Sequence, residues 1–255
     1  MDISILASGS SGNSTYVEAG GVKLLIDLGI TLKDTASALQ SINRQLSDID
    51  AILCTHHHGD HSLNVASAFR RHNTTLLANG ATADAIDLSN QSKTPTSWAL
   101  FETGATFPLG NLKITSFSLP HDASDTVGYV IDDGTHRLGI CTDLGYATAV
   151  VKHRLTDCDA LILEFNHDVE LLMQSSRPPA TKRRIIGRNG HLSNEDAATL
   201  LPQLASPRLQ IVFAAHLSQD CNTPLLATNA ARAALDKAGC PNTRLIIAPP
   251  PPPPP

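Results

Sequence analysis

The chain has 255 residues, 42% hydrophobic and 17% charged, an ordinary composition for a folded globular protein. A formal net charge of −5 argues against a globally basic nucleic-acid binder but leaves room for a local basic track beside bound cations. Five cysteines without tight spacing make no disulfide framework, and no apolar run approaches a membrane span or a signal peptide, so a cytoplasmic, reducing setting is expected.

In chain order, Asp2 to Leu6 alternates and predicts a strand. Ala7 to Ser14 is a small-residue turn. It lacks the Lys-Ser/Thr end of a phosphate-binding loop, so a tight turn comes first and a substrate-facing backbone edge second. Thr15 to Glu18 and Val22 to Asp27 predict a hairpin through Gly20-Gly21, and Thr31 to Ile42 an amphipathic helix. Ala51 to Cys54 is a buried strand, Leu63 to Arg71 a helix, Thr75 to Ala78 a strand, Thr82 to Leu88 a helix and Ser89 to Ser97 a polar loop. Leu112 to Leu119 is a strand, and Thr126 to Asp132 with Thr135 to Cys141 a hairpin through Asp133-Gly134. The second half repeats this grammar. Helices are predicted over Tyr146 to Arg154, Val169 to Met173, Ser193 to Leu204 and Leu225 to Lys237, with strands over Ala160 to Glu164, Leu209 to Ala214 and Arg244 to Ile247. That order suggests an α/β fold of two sheets packed face to face with helices outside, over one domain from 1 to 248. Pro249 to Pro255 reads as a disordered polyproline tail with no core to join.

The chemistry concentrates in His56-His-His58-Gly-Asp60-His61, directly after the buried strand. Along an extended turn, His56 and His58 can face one point and Asp60 and His61 a second. Imidazole with carboxylate suits zinc, manganese or iron better than magnesium or calcium. His121, Asp143 and His216 each follow a predicted strand, where α/β folds collect their chemistry. Any one of them alone reads more simply as a cap or surface residue.

His56-x-His58-x-Asp60-His61 resembles the signature of the metallo-β-lactamase fold superfamily. The resemblance implies a four-layer αβ/βα sandwich of two mixed sheets with two divalent metal ions, zinc or manganese with iron also possible, at one sheet edge. It implies that His56, His58 and His121 hold the first metal, that Asp60, His61 and His216 hold the second, and that Asp143 bridges them. A hydroxide shared by the metals is the implied nucleophile. Asp27, at its strand end, resembles the acceptor that braces the metal loop.

Within the superfamily, His121 lacks the Pro-Gly-His sequel of the glyoxalase-type branch. Ser8 to Ser14, Glu164-Phe-Asn166-His167-Asp168, Gly190-His191-Leu-Ser193 and Ala215-His-Leu-Ser218 resemble the YycJ/WalJ-like group, described as 5′ to 3′ DNA exonucleases. Gln219-Asp220-Cys221-Asn222 departs from that group's Glu-Asn-Asn. The resemblance implies a phosphodiesterase with Asp60, Glu164 and His191 as catalytic residues. In it His191 is the general acid, carried on a flexible Gly190 hinge and oriented by Glu164. Asn13, Asn166, His167, Arg183, Arg184 and Ser218 are expected to contact substrate. The last two arginines lie in a basic run from Arg177 to Arg188, otherwise read as a solvated loop. The expected partner is nucleic acid, DNA ahead of RNA, or another phosphodiester, with no membrane and no oligomeric state assigned. The rival readings are a small-substrate hydrolase of thioesters, lactones or cyclic phosphates, and a non-catalytic binding module.

Overall fold

The protein is described from a computed structural model, which covers residues 1–90 and 96–252. The first half contains β1 (Asp2–Ala7), β2 (Ser14–Ala19), β3 (Val22–Ile26), β4 (Ala51–Leu53), β5 (Thr75–Asn79) and β6 (Trp98–Phe101). Its helices are α1 (Leu32–Ser41), α2 (Gly59–Ser62), α3 (Val65–His72) and α4 (Gly80–Asn90). The strands form one sheet in the order β1-β2-β3-β4-β5-β6, antiparallel as far as β3 and parallel beyond it. The second half contains β7 (Thr106–Leu109), β8 (Leu112–Ser118), β9 (Val127–Asp132), β10 (Arg137–Cys141), β11 (Ala160–Glu164), β12 (Ile211–Ala215) and β13 (Arg244–Ile247). Its helices are α5 (Ala149–Leu155), α6 (Val169–Gln174), α7 (Pro179–Ile185), α8 (Asn194–Leu204) and α9 (Pro224–Lys237). The second sheet runs β13-β12-β11-β10-β9-β8-β7, antiparallel from β7 to β10 and parallel from β10 to β13.

Alternation along the strands sets the layers. Leu24 and Ile26 on β3, Leu53 on β4 and Ile162 on β11 share one core with Ile114 and Tyr129, and this core lies between the sheets. The intervening residues turn outward. Leu25 and Ile52 pack on Leu39, Val65 and Ile86 of the first-half helices. Leu161 and Leu163 pack on Val151, Leu200 and Ala231 of the second-half helices. Central strands buried on both faces read as unbroken apolar runs, which is why they are legible in the sequence. Full burial of each such side chain contributes roughly 1.5–3 kcal/mol. The expected sandwich of two mixed sheets with outer helices is what forms.

Some local expectations differ. The basic run is partly a helix, α7, which starts with Pro179 in its first turn and ends on Lys182, Arg183 and Arg184, where cations favour the C-terminal dipole. Ser89 lies inside α4, and most of the loop expected there falls on 91–95, outside the described residues. The polyproline stretch does not begin as a detached tail. Ser8 N–H donates to Pro249 O at 2.9 Å, and Pro251 is buried beside Gly9 and Gly12. No helix among the described residues is long and apolar enough to cross a membrane.

Candidate metal centre

The parallel strands β3, β4, β10, β11 and β12 end at one edge and deliver Asp27, His56, Asp143, Glu164 and His216 there. Asp27, Asp143 and His216 have positive φ, at 61°, 61° and 57°. Such backbone is costly for non-glycine residues and collects at functional sites. It turns each chain sharply off its strand and leaves the side chain over the sheet edge. Asp60 and His61 come from α2, a single turn that follows His58 directly.

These residues meet as ligand-sized groups. His56, His58 and His121 form one, Asp60, His61 and His216 another, and Asp143 joins His61 with His56 in a third. Asp143 lies between the first two, with Oδ2 3.0 Å from His61 Nε2 and Oδ1 3.5 Å from His216 Nε2 and 3.8 Å from His121 Nε2. Asp60 Oδ2 stands 3.6 Å from His61 Nε2 and 3.7 Å from His216 Nε2.

Nearly every imidazole is held by one nitrogen and presents the other. His61 Nδ1–H donates to Asp27 Oδ2 at 2.7 Å, His216 Nδ1–H to Glu164 Oε1 at 2.9 Å and His121 Nδ1–H to Gly190 O at 3.1 Å. Thr55 Oγ1–H donates to Asp27 Oδ2, so its oxygen accepts from His56 Nδ1 at 3.0 Å. This tautomer control is how proteins prepare histidines for metal. His121 Nε2 and His58 Nδ1 then face each other at 3.3 Å, a pairing that two bare lone pairs sustain only around a proton or cation. His56 Nε2, His216 Nε2 and Asp143 Oδ2 are buried without a hydrogen-bond partner. Orphaned buried atoms are expensive, and transition-metal ions in the two ligand groups would satisfy them, one at His56, one at His216 and either at Asp143, so the donor set fits such ions.

Burial pushes His56, His58 and His121 toward the neutral, ligating form. At His61 and His216 burial works the same way, but Asp143 and the other carboxylates outweigh it. His61 is held well above its usual range and His216 rises to about 10. Metal would take the place of those protons.

Glu164 is fully buried and shared. Oε1 accepts from both His191 Nδ1 and His216 Nδ1 at 2.9 Å, while Oε2 accepts Leu144 N–H at 3.2 Å and Leu192 N–H at 3.0 Å. Burial alone would raise its pKa, yet His191 and His216 hold it down at about 2. His191 is raised, because the Glu164 carboxylate outweighs burial.

The site opens into a cleft of ≈ 190 Å³, lined by His58, Asp60, Asp143, Asn166, His191 and His216, with Ser10, Arg177, Thr181, Arg184, Ile185 and Ser218 on its walls. Of the residues expected at the substrate, Asn166, Arg184 and Ser218 reach it. Arg184 pairs with Asp122 on the rim, and Asn166 also donates to His216 O at 3.0 Å. Asn13, His167 and Arg183 do not line the cleft. Asn13 is buried against the metal loop, donating to Gly9 O at 2.9 Å and Asp60 O at 3.2 Å, with Nδ2 also 3.0 Å from His61 Nε2. His167 is buried against Asn166, and its backbone bridges to Ser193. Arg183 points to solvent from α7. Gly190 is not a hinge. A Cβ there would lie 2.0 Å from Ile185 O, so it is glycine because two backbones touch. Ser10, Thr181 and Asp122 were not foreseen. The Pro178-Pro179 helix start was the available signal for Thr181.

A family model described as a beta-lactamase superfamily domain matches residues 23–213. Exodeoxyribonuclease YycJ of Bacillus anthracis is 31% identical over 94% of this chain and 90% of its own length. Exodeoxyribonuclease WalJ of Streptococcus pneumoniae is 38% identical over 88% of this chain and 84% of its own. Among solved structures, the metallo-beta-lactamase fold protein YhfI of Bacillus subtilis matches with a TM-score of 0.72 at 16% identity, covering 96% of this chain and 95% of that one. At that identity the likeness concerns the fold alone.

Proposed function

The chain belongs to the beta-lactamase superfamily, in its YycJ/WalJ-like group, and from that premise we propose that it is a metal-dependent phosphodiesterase that trims DNA from an end. The observation that carries this reading is the junction at Asp143. Two ligand groups meet there in a cleft lined also by two arginines and by His191, which the buried Glu164 holds from behind. His56, His58 and His121 would hold one divalent ion, Asp60, His61 and His216 the other, with Asp143 shared. The donor set favours zinc, manganese or iron. When bound, the ions supply Lewis acidity and an activated water.

The chain's own residues do the rest. Arg184 and Arg177 line the cleft, paired with Asp122 and Asp220 at its rim, and would turn their remaining N–H groups to a phosphate there. His191 keeps its Nδ1 proton on Glu164 and turns Nε2–H toward the cleft. As the P–O bond breaks, that proton passes to the departing deoxyribose oxygen, a poor leaving group unless protonated. A positioned acid contributes roughly 10²–10⁴-fold in rate. Asp60, at the cleft wall, keeps His216 and His61 aligned on one side of the reacting centre. The five free cysteines, four of them buried, fit a reducing, cytoplasmic setting.

The test is hydrolysis of bis-p-nitrophenyl phosphate beside a thioester and a lactone after loading zinc or manganese, followed by 5′- and 3′-labelled DNA. Turnover of the phosphodiester and stepwise release from one DNA end are expected. Turnover of the thioester or lactone alone would reject the reading.

A further inference from the structure

Beside the catalytic cleft lies a larger groove of ≈ 430 Å³, lined among others by Leu217, Gln219, Pro224, Ile247, Pro250 and Pro251. Ser218 lines both cavities, so the groove adjoins the cleft across this one residue. The two have opposite chemistry. The cleft carries the metal-ligand groups and two arginines, whereas no residue lining the groove is charged and most of its surface is apolar.

A nucleotide is divided in the same way. Its phosphate is anionic and its nucleoside is an uncharged, flat, largely apolar body with a polar edge. We propose that this groove is a nucleoside subsite, which takes the base and sugar adjoining the phosphate held in the cleft. This rests on the phosphodiesterase reading above. Pro224, at the start of α9, and the exposed Pro250 offer rigid apolar ring faces against which a base can lie, with the buried Pro251 packed behind them. Gln219 supplies a donor and an acceptor at its edge, while Asn222 is spent inside, its amide bonded to Phe165 O, Asn166 O and Asn194. Leu217 and Ile247 form the apolar floor. The wall made by Pro250 and Pro251 is held where it is needed, since the Ser8 N–H···O=C Pro249 bond fastens it and Ser8 Oγ accepts His216 N–H at 2.8 Å. The same serine thus ties the proline stretch to the loop carrying a proposed ligand. In a protein poor in aromatic residues, proline faces would do the work that aromatic platforms do in other single-strand binders.

The experiment compares thymidine 5′-monophosphate with methyl phosphate as competitive inhibitors of bis-p-nitrophenyl phosphate hydrolysis by the metal-loaded full chain. The ratio of the two inhibition constants is read within each protein. The intact chain should prefer the nucleotide by about 10-fold or more, since removing roughly 55 Å² of apolar surface from water is enough for that. Truncation after Pro249 should bring the ratio near unity. P250A/P251A, which keeps the backbone and removes the rings, should lower it several-fold and serves if the truncated chain fails to fold. An intact-chain ratio near unity, or a ratio unchanged in P250A/P251A, overturns the subsite. So does a truncation that changes only the oligomeric state, since the groove would then seat a second copy. Absence of any phosphodiester hydrolysis in the intact chain overturns the parent reading instead, before a ratio is measured.

Discussion

Asp27→Asn tests whether tautomer control at His61 is what prepares the metal centre. Asp27 is 3% exposed and its carboxylate accepts three hydrogen bonds: Thr55 N–H on Oδ1 at 2.8 Å, and Thr55 Oγ1–H at 2.8 Å and His61 Nδ1–H at 2.7 Å on Oδ2. An asparagine has one acceptor atom for those two faces. Turning its NH₂ toward Thr55 N–H sets two donors against each other, which costs roughly 1–3 kcal/mol for the unmet group. The other orientation keeps the backbone bond and points NH₂ at Thr55 Oγ1 and His61 Nδ1. His61 must then carry its proton on Nε2, the atom 3.0 Å from Asp143 and 3.6 Å from Asp60. A protonated Nε2 cannot ligate. Loss of such an orienting partner typically costs about 10–100-fold in metal affinity, or roughly 1.4–2.7 kcal/mol. The assay is chelator competition for zinc, with thermal unfolding in excess chelator as the control for folding and the imidazole ¹⁵N shifts of His61 as the readout of tautomer. Parent-like zinc affinity in a folded Asp27→Asn protein would refute the reasoning.

Asp143→Ala removes the carboxylate common to both ligand groups, so elemental analysis should find more than one metal ion lost per chain; full metal content would end its bridging role. His191→Ala should keep its metal and lose roughly 10²–10⁴-fold on DNA, yet much less on a nitrophenyl ester whose leaving group needs no proton. Equal losses on both substrates would make His191 a ligand or a structural residue. Gly190→Ala places a Cβ 2.0 Å from Ile185 O and 2.3 Å from Arg184 O, which should cost about 1–3 kcal/mol by overpacking; an unchanged melting temperature would restore the hinge. Remote from the site, Tyr16 and Arg44 hydrogen-bond Glu18 and hold its carboxyl below the usual value of 4.5. A pKa lowered by folding stabilises above the unfolded value and is lost as pH falls through the folded one. The melting-temperature gap between the parent and Glu18→Gln should therefore be full at neutral pH and close on acidification below that range, and a gap independent of pH would remove the carboxylate from the explanation.

Much of the site could be read from the sequence because it is written locally. An apolar run buried on both faces announces a central strand. A strand that ends in Asp27, Asp143 or His216 places that residue at the sheet edge whatever the rest of the chain does. The HxHxDH loop needs only its own spacing to gather His56, His58, Asp60 and His61. What the tertiary structure decided is which atom each residue presents. His61 is oriented by a residue 34 positions away, His216 by one 52 away and His121 by one 69 away. No local pattern encodes such pairings, because they arise only when the fold closes and brings together strand ends and loops distant in the chain. The same closure turned Asn13 and His167 inward and left Arg183 in solvent while its neighbour Arg184 met Asp122. It also made Gly190 a contact point and drew Pro249 to Pro251 from an expected tail onto Ser8 and the wall of the neighbouring groove. A side chain's identity is local, but its direction and partners are set by whatever the fold packs against it.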